Sequence, residues 1–218
     1  LDLKGKKVLI TAGPTYEKID PVRFIGNYSS GKMGYALAEE CASRGAEVIL
    51  VSGPVTLKEH HPNIRRIDVE SAEEMYEEAR RAYTDADAGI LCAAVADFTP
   101  DYTADHKIKR GKDGMTIQLK PTKDIAASLG ATKKEGQVLV GFALETNDEQ
   151  QNAKGKLERK NFDFIVLNSL NDKGAGFRVD TNKISIIDRQ DTTSYPLKNK
   201  SEVAKDIIDR LVQTLNKN

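Results

Sequence analysis

The stretch Lys7-Val8-Leu9-Ile10-Thr11, closed by Ala12-Gly13-Pro14-Thr15, decides the fold of this 218-residue chain. A short apolar run that ends in turn residues is typical of a buried strand. Similar runs return at residues 47–51 and 88–94, and helical spacing of apolar residues fills 31–44 and 72–83 between them. Strand, helix, strand, helix, strand with short connections predicts a parallel sheet with right-handed crossovers.

Residues 97–114 interrupt this pattern, because they are rich in Asp, Thr, Lys and Gly and carry no convincing period. An irregular stretch inside a compact domain is often functional, for instance as a lid. Regular structure resumes with predicted strands at 115–119, 138–143 and 164–167, helices at 123–134, 149–160 and 202–215, and a hairpin of 184–187 with 194–197. We therefore predict a single α/β, Rossmann-like three-layer domain over residues 1–218, with a mainly parallel sheet, a flexible lysine-bearing flap and a C-terminal β-hairpin.

The composition excludes several classes of protein. Lys and Arg number 33 and Asp and Glu number 33, so the formal charge is zero, which argues against binding to duplex nucleic acid. No apolar run approaches the roughly 18 residues of a membrane span. The two cysteines lie far apart and the three histidines lack ligand spacing, so we expect neither a disulfide nor a zinc framework. We expect a cytoplasmic protein with no nucleic-acid or membrane partner.

The segment Gly26-Asn27-Tyr28-Ser29-Ser30-Gly31-Lys32-Met33-Gly34 runs into the first predicted helix. Two hydroxyls, a glycine and the free N–H groups of a helix start can bind an anion. An ordinary N-cap by Ser29 or Ser30 is the other interpretation. The segment matches most of a P-loop, but Met33 stands where that loop has Ser or Thr, and it does not directly follow the first strand.

Three segments follow predicted strands, where ligands bind in open α/β sheets. The first turn, Ala12-Gly13-Pro14-Thr15, keeps one glycine of the dinucleotide pattern, and Pro14 removes a backbone donor, which weakens an NAD interpretation. Ala93-Ala94-Val95-Ala96-Asp97 offers small residues for a base or sugar and a carboxylate that either accepts hydrogen bonds from a ligand or caps a helix. In Gly141-Phe142-Ala143-Leu144-Glu145-Thr146, Phe142 either stacks on a base or packs in the core.

The densest basic cluster is Lys107-Ile108-Lys109-Arg110-Gly111-Lys112, which lies in the irregular stretch. One interpretation is a solvated loop. The other is a flap that closes on a polyphosphate, for which the compact charge and flexible stem of lysine are suited. Residues 161–168, after a predicted helix that carries Lys156 and Lys160, form one more strand end.

Together these segments resemble the phosphopantothenoylcysteine synthetase family over nearly the whole chain. The resemblance rests on the order of Ile10-Thr11-Ala12-Gly13-Pro14-Thr15, Ile19-Asp20-Pro21-Val22-Arg23-Phe24-Ile25, Asn27, Ser29-Ser30-Gly31-Lys32-Met33-Gly34, Ala93-Ala94-Val95-Ala96-Asp97-Phe98, Lys107-Ile108-Lys109 and Val140-Gly141-Phe142-Ala143 with Glu145-Thr146. In most bacteria this domain is the C-terminal half of a bifunctional chain with a flavin-dependent decarboxylase, and a start at Leu1 rather than Met fits an excised half.

The resemblance implies CTP-dependent ligation of L-cysteine to 4′-phosphopantothenate in coenzyme A biosynthesis. The substrate carboxylate attacks the α-phosphate of CTP, releasing pyrophosphate and forming an acyl-cytidylate, and the cysteine amine then displaces CMP. Such a reaction needs no enzyme nucleophile and rests on positioning and charge stabilisation. The resemblance also implies Mg²⁺ held mainly by the phosphates, and a homodimer.

The family pattern implies a role for each matching residue. Asn27 and Lys107 are the implied catalytic residues, and Asn27 and Ala94 the implied substrate-binding residues. The implied nucleotide-binding residues are Gly13, Ser29, Ser30, Gly31, Ala93, Asp97, Lys107, Lys123, Asp124, Ile125, Phe142, Lys156 and Lys160. The chain departs from the pattern at Thr122-Lys123-Asp124-Ile125, where many members have Asn-Pro-Asp-Ile.

Two other functions stay open at this point. An NAD(P)-dependent reductase on a Rossmann-type fold predicts G-x-G-x-x-G and an acidic residue about 20 positions later, and the glycines are missing. A non-catalytic nucleotide-binding module would not need a lysine flap. Release of pyrophosphate from CTP separates this module from the ligase.

Overall fold

A computed structural model describes residues 1–145, 148–169, 174 and 178–218. Its strands are β1 Lys7–Ala12, β2 Glu17–Lys18, β3 Phe24–Ile25, β4 Glu47–Ser52, β5 Ile64–Asp68, β6 Ala88–Leu91, β7 Phe98–Pro100, β8 Leu119–Pro121, β9 Val138–Glu145, β10 Phe164–Ser169, β11 Thr181–Asn182, β12 Ile184–Ile187, β13 Thr192–Ser194 and β14 Lys198–Asn199. Its helices are α1 Lys32–Ser43, α2 Ala72–Tyr83, α3 Ile125–Thr132, α4 Glu149–Arg159 and α5 Lys200–Lys217. Thr146, the end of one predicted motif, lies outside the described residues.

Eight strands form the main sheet in the order β13-β12-β10-β9-β6-β1-β4-β5. The pairs from β10 to β5 are parallel, whereas β12 and β13 add an antiparallel edge. Ile10 sits at the centre of the register, opposite Leu50 on one side and Ile90 on the other. These strands read as continuous apolar runs because helices cover both faces of a parallel sheet.

The helices form two layers, one on each face of the sheet. Residues of α1 and α5 share one buried cluster, which includes Leu37, Ile207 and the inward face of β10 at Phe164 and Val166. Residues of α2, α3 and α4 share a second cluster with the opposite face of the same strands. The prediction of a three-layer α/β domain with a mainly parallel sheet is therefore confirmed.

Local sequence signals account for the helix positions. Ser71 caps α2 by accepting a hydrogen bond from the Glu74 N–H at 3.2 Å, which confirms the predicted capping box. Gly34 allows α1 to approach β1 closely, because a Cβ at this position would lie 2.5 Å from the Cβ of Ala12. The start of α1 is therefore held directly over the end of β1.

Several predicted boundaries are wrong. Strand β6 ends at Leu91 rather than at residue 94. The outer hairpin strand is Thr192–Ser194 rather than 194–197, since Ile187 pairs with Thr192 and Pro196 has no N–H for a ladder. The edge strand β5 was not predicted, because only Ile64 of its five residues is buried.

The stretch predicted to be irregular contains a strand. Phe98–Pro100 pairs antiparallel with Leu119–Pro121, so β7 and β8 form a two-stranded arm, and residues 101–118 between them are called the flap here. The predicted strand at 115–119 is confirmed only at Leu119. Sequence periodicity missed β7 because its partner lies about twenty residues later and both strands are largely exposed.

Part of the flap is tied to the β2–β3 ribbon. The buried carboxylate of Asp20 accepts a hydrogen bond from the Ile108 N–H at 3.1 Å, and Arg23 Nη2 donates to the Ile108 carbonyl at 2.6 Å. The Ala104 N–H also donates to the Ile19 carbonyl at 3.1 Å. The basic run, which was predicted to lie in a flexible flap, is thus anchored at Ile108.

Candidate functional site

The turn after β1 and the end of β6 are joined by hydrogen bonds, as their positions at one edge of the sheet require. The Ala94 N–H donates to the Gly13 carbonyl at 2.9 Å, and Pro14 and Ala94 form a parallel bridge. The Ala96 N–H donates to Thr15 Oγ1 at 2.9 Å. Two predicted motifs therefore make a single surface at the carboxyl ends of the strands, where open α/β sheets bind ligands.

The start of α1 adjoins this surface. Gly31 is the N-cap, its φ of +82° lies in the left-handed region, and no side chain caps the helix. The interpretation of Ser29 or Ser30 as an ordinary N-cap is therefore wrong, although the Lys32 N–H donates to Ser30 Oγ at 3.4 Å. With no acidic residue in its first turn, the positive end of α1 suits an anion.

Asn27 links these two parts. Its Nδ2 donates to the Ala94 carbonyl at 2.7 Å, and its Oδ1 accepts from the Ser29 N–H at 3.1 Å. The amide nitrogen and the amide oxygen of Asn27 are thus both hydrogen-bonded to backbone groups. Asn27 and Ala94, the predicted substrate-binding pair, are in direct contact.

A first cavity, called the asparagine cavity here, opens beside this pair. It lies under α1 and the start of α5, on the face of the sheet that these helices cover. Its lining is Gly13, Ser29, Gly31, Lys32, Met33, Gly34, Cys92, Ala93, Ala94, Phe142, Ala143, Leu144, Asn168, Asn182 and Lys200. The lining includes six predicted site residues, and the predictions missed its deeper polar members.

Lys200 is one of the two lysines that line the asparagine cavity, and it is the more buried of the two. Its Nζ donates to the Val179 carbonyl at 2.6 Å, to the Thr181 carbonyl at 3.1 Å and to Asn182 Oδ1 at 3.0 Å. Burial, with the nearby Lys32 charge, lowers the pKa of Lys200 to about 8. Three acceptors match the three N–H groups of an ammonium, so this charge is directed into the protein.

A second cavity, called the lysine cavity here, lies on the opposite face of the sheet, beside α3 and α4. Its lining is Thr11, Leu91, Ala93, Val95, Ala96, Asp97, Thr122, Lys123, Asp124, Ile125, Ala126, Phe142, Lys156, Lys160 and Phe162. Eight of these are predicted nucleotide-binding residues. Ala93 and Phe142 line both cavities, so the two cavities meet at these two side chains.

The start of α3 differs from the start of α1, because a carboxylate already occupies it. Asp124 Oδ1 accepts from the Ala127 N–H at 3.0 Å, and Asp124 Oδ2 lies 2.9 Å from Lys160 Nζ. Burial alone would raise the pKa of Asp124, but the Ala127 N–H and the Lys160 ammonium outweigh it and hold that pKa below its usual value. Lys160 is thus held at the cavity wall.

Lys123 and Lys107, which were also predicted to bind the nucleotide, have surroundings different from those of Lys160. The Lys123 ammonium contacts Glu73 at 2.8 Å and lies over the Tyr76 ring, and the hydrogen bond with Glu73 raises the pKa of Lys123. Lys107 is exposed and lines neither cavity, although the anchored Ile108 is its neighbour. The structure therefore groups the predicted site residues around two cavities but leaves Lys107 outside them.

The described residues hold neither a metal-binding cluster nor a membrane-spanning helix. No three His, Cys, Asp or Glu side chains in that part of the chain are grouped so that they could hold a metal ion. Across the same ranges, no helix has the length and apolar character needed to cross a bilayer.

Known proteins resemble this chain over almost its full length. At 59% identity over 211 residues, the chain matches a protein of an unknown prokaryotic organism named cysteine/cysteine sulfinic acid decarboxylase, with 96% of this chain and 59% of that protein covered. At 49% identity over 210 residues it matches the coenzyme A biosynthesis bifunctional protein CoaBC of Bacillus subtilis (strain 168), with 96% of this chain and 52% of that protein covered. The chain thus spans little more than half the length of these relatives.

A solved structure and a family model agree on the domain. The crystal structure of the C-terminal domain of coenzyme A biosynthesis bifunctional protein CoaBC has a TM-score of 0.85 and 41% identity, covering 100% of this chain and 99% of that chain. The family model for the DNA/pantothenate metabolism flavoprotein C-terminal domain matches residues 3–215. On fold, site and sequence, the chain belongs to the family of DNA/pantothenate metabolism flavoprotein C-terminal domains.

Proposed function

We propose that residues 1–218 are a single nucleotide-binding ligase domain that joins L-cysteine to 4′-phosphopantothenate with CTP. The meeting of two unlike cavities at Ala93 and Phe142 carries this proposal. A ligase of this kind must bring a polyanionic nucleotide and a separate acyl substrate together at one reacting phosphate. The names and similarity of the coenzyme A biosynthesis relatives support the substrate class.

The lysine cavity takes the nucleotide in this proposal. Lys156 and Lys160 supply positive charge, Ala93 and Asp97 lie beside the base and sugar, and Phe142 lies against the base. The chain from Lys123 to Ile125 contributes the start of α3. The phosphates reach the start of α1 at Gly13, Ser29, Ser30 and Gly31, where the helix dipole favours negative charge and the first turn holds no acidic residue.

The asparagine cavity takes the acyl substrate. Its carboxylate attacks the α-phosphate of CTP, the bond to the β-phosphate breaks, and pyrophosphate leaves. The cysteine amine then attacks the acyl carbon, loses a proton and displaces CMP, which forms 4′-phosphopantothenoylcysteine. Asn27 and Ala94 hold the acyl group, and Lys107 approaches the reacting phosphate when the flap closes.

Mg²⁺ joins the site with the nucleotide. Mg²⁺ in nucleotide sites is held by phosphates and one or two carboxylates rather than by an all-protein cage. The lysine cavity fits that pattern, because Asp97 is a carboxylate at its wall and the described residues contain no larger acidic cluster. Asp97 would hold the ion against the phosphates, and the ion would neutralise charge on the leaving pyrophosphate.

A second copy of the chain is the proposed protein partner. Large apolar side chains are exposed at Phe24 on β3, at Tyr28 before α1, at Phe98 on β7 and at Tyr102 and Met115 in the flap. Exposed apolar patches mark interaction sites. We place a homodimer contact there, and we propose fusion to a flavin-dependent decarboxylase in a cytoplasmic parent protein.

A pyrophosphate-release assay tests the proposed reaction. The protein is mixed with phosphopantothenate, Mg²⁺ and either CTP or ATP, and cysteine is added last. We expect pyrophosphate with CTP before cysteine is present, and amide product only after it. No release under conditions in which the CoaBC protein of Bacillus subtilis releases pyrophosphate would contradict the ligase.

The same samples separate the competing functions. Carbon dioxide released from cysteine would support the activity named for the 59%-identical relative. Oxidation of NADPH would support the reductase. Binding of CTP without pyrophosphate release would support a non-catalytic module.

A further inference from the structure

Asn168 is a polar residue where the fold calls for an apolar one. Along β10, Phe164 and Val166 face the core beneath α1 and α5 and are fully buried. Since side chains alternate along a strand, Asn168 continues that face, and it is only 8% exposed. It lines the asparagine cavity.

The carbonyl oxygen of this amide is unsatisfied. Within the ranges that the structure describes, Asn168 Oδ1 is a buried oxygen that has no hydrogen-bond partner. Buried polar atoms are hydrogen-bonded in the great majority of cases. An unpaired acceptor on a cavity wall therefore points to a ligand that donates an N–H or O–H.

A second amide in the same cavity supplies the complementary group. Asn182 Oδ1 is taken by Lys200, whereas Asn182 Nδ2 contacts Met33 Sδ at 3.7 Å. A thioether is a weak acceptor, so this N–H can turn to a better one. The cavity thus offers one acceptor and one donor, the pattern that pairs with an amide.

The rest of the wall is mainly apolar, and its lysines already have protein partners. Met33, Cys92, Ala143 and Leu144 are apolar or nearly so. Lys200 Nζ donates to three protein oxygens, and Lys32 Nζ lies 2.8 Å from Asp180 Oδ1. A neutral amide with aliphatic neighbours suits this lining better than a zwitterionic amino acid, whose two charges would be desolvated there.

We infer that the asparagine cavity binds the neutral amide segment of the acyl substrate, with Asn168 accepting from the amide N–H and Asn182 donating to the amide carbonyl. The inference rests on the proposed function. In phosphopantothenate, two methylene groups separate the reacting carboxyl from the amide. If the carboxyl meets the nucleotide where the cavities join at Phe142, the amide falls on the Asn168 side. The dimethyl carbon beyond it then contacts apolar wall.

The test compares two ligands and two proteins by calorimetry, so that it does not depend on turnover. The ligands are phosphopantothenate and its ester analogue, in which oxygen replaces the amide N–H. For the wild type, we expect the ester to bind about 2- to 12-fold more weakly, the range for one neutral hydrogen bond. Asn168→Leu should bind the natural ligand more weakly by a similar factor and should not discriminate between the two.

Controls keep this result specific. Asn63→Leu makes the same chemical change at an exposed position before β5 and should leave both affinities unchanged. Thermal unfolding of Asn168→Leu reports whether the variant folds. The comparison of amide with ester in the wild type does not depend on that variant. The inference would be overturned if replacing the amide by the ester weakened binding by the same factor in the wild type and in Asn168→Leu. It would also be overturned if Asn168→Leu changed the affinity for cysteine and left that for phosphopantothenate unchanged.

The two proposals fail separately. A wild type that binds phosphopantothenate with the expected preference for the amide but releases no pyrophosphate supports the cavity assignment and contradicts the ligase. A wild type that releases pyrophosphate yet binds amide and ester equally contradicts the cavity assignment alone.

Discussion

The lysine cavity and the asparagine cavity share two residues and differ in almost everything else. Both open at the carboxyl ends of β6 and β9, and Ala93 and Phe142 line each of them. The first is walled by cations that already have partners, such as Lys160 with Asp124. The second is lined by two buried amides, Asn168 and Asn182, by apolar side chains and by two lysines that already have protein partners.

This difference shows that the sheet and the helices make different contributions to the site. Parallel strands bring small residues to one edge whatever the ligand is. The helices on each face then decide the chemistry. α3 and α4 bring charge to one side, whereas α1 and α5 bring Met33 and two lysines, Lys32 and Lys200, that protein acceptors already hold. Variants on each side should therefore change the affinity of one ligand and leave the other unchanged.

The largest effect should come from a residue that lines neither cavity. We expect Lys107→Ala to slow cytidylate formation by about 10²–10³-fold, because a charge stabiliser at the reacting phosphate is lost. The affinities for CTP and phosphopantothenate should change little. Rapid-quench measurement of pyrophosphate release gives the rate, and calorimetry gives the affinities.

Lys4→Ala is the matched control, because Lys4 is also exposed, precedes β1 and lines neither cavity. It should keep the wild-type rate. Wild-type turnover in Lys107→Ala would remove the flap lysine from the mechanism, and a loss of affinity alone would move it to nucleotide binding.

Removing one cation should affect the lysine cavity only. We expect Lys160→Met to weaken CTP binding by about 10-fold, the lower range for a hydrogen bond to a charged group. Phosphopantothenate affinity should stay within about 2-fold. Isothermal titration with each ligand separately measures both.

Lys205→Met is the control, since Lys205 is also ion-paired, with Asp209 on α5, and lines neither cavity. If Lys160→Met lowered the affinities for CTP and phosphopantothenate equally, the two cavities would not be independent. The shared effect would then come from a shift of α3, because its capping residue Asp124 loses its ion pair with Lys160.

The strand core was predictable from sequence because its signal is local. The apolar runs around Ile10 and Ile90 end in turn residues, and the capping box at Ser71 marks α2. The six predicted site residues that line the asparagine cavity lie at strand ends and at a glycine-rich helix start, which local sequence marks, and the family resemblance selected them individually. At these positions the local sequence preferences agree with the observed fold.

The remaining features depend on contacts between distant residues. β7 is paired with β8 across the flap, and Asp20 holds Ile108 across 88 positions of sequence. Asn182 on β11 and Lys200 on α5 line the asparagine cavity although they lie far along the sequence from other lining residues such as Ala94. The polar Asn168 at the end of an apolar run was the one signal that sequence offered for that cavity's base.

The shared wall should respond to both ligands. Phe142→Leu keeps an apolar side chain but removes a flat ring, so stacking with a base is lost while volume is roughly kept. We expect CTP to bind about 5-fold more weakly and phosphopantothenate about 2-fold more weakly. Phe162→Leu offers a comparison on the lysine side alone, and should affect CTP only.

An unchanged CTP affinity in Phe142→Leu would show that the ring packs in the core without touching the base. Among the described residues, that outcome would leave Ala93 as the one remaining side chain that lines both cavities. Competition between a CTP analogue and phosphopantothenate in the wild type would then be the remaining sign that the cavities meet.

The smallest effect concerns the anchor that sets where Lys107 lies. The Arg23 side chain and the N–H groups of Ile108 and Val22 hold the pKa of Asp20 well below its usual value of 3.8. We expect Asp20→Asn to lower the rate of cytidylate formation about 2-fold without changing either affinity. Hydrogen exchange of the Ile108 amide should be faster, because its acceptor has lost its charge.

Acid gives the second measurement on Asp20. Since its pKa is depressed in the folded state, its carboxylate stabilises the fold above the usual value of 3.8, and this contribution falls as the pH drops from there toward the folded value. The difference in free energy of unfolding between wild type and Asp20→Asn should therefore be constant from neutral pH to about 5 and shrink below about 4. Asp209→Asn, at a depressed carboxylate on α5, should show the same acid dependence with no change in Ile108 exchange. If both variants leave the exchange of Ile108 unchanged, the anchor stabilises the ribbon alone, and the position of Lys107 depends on other contacts of the flap.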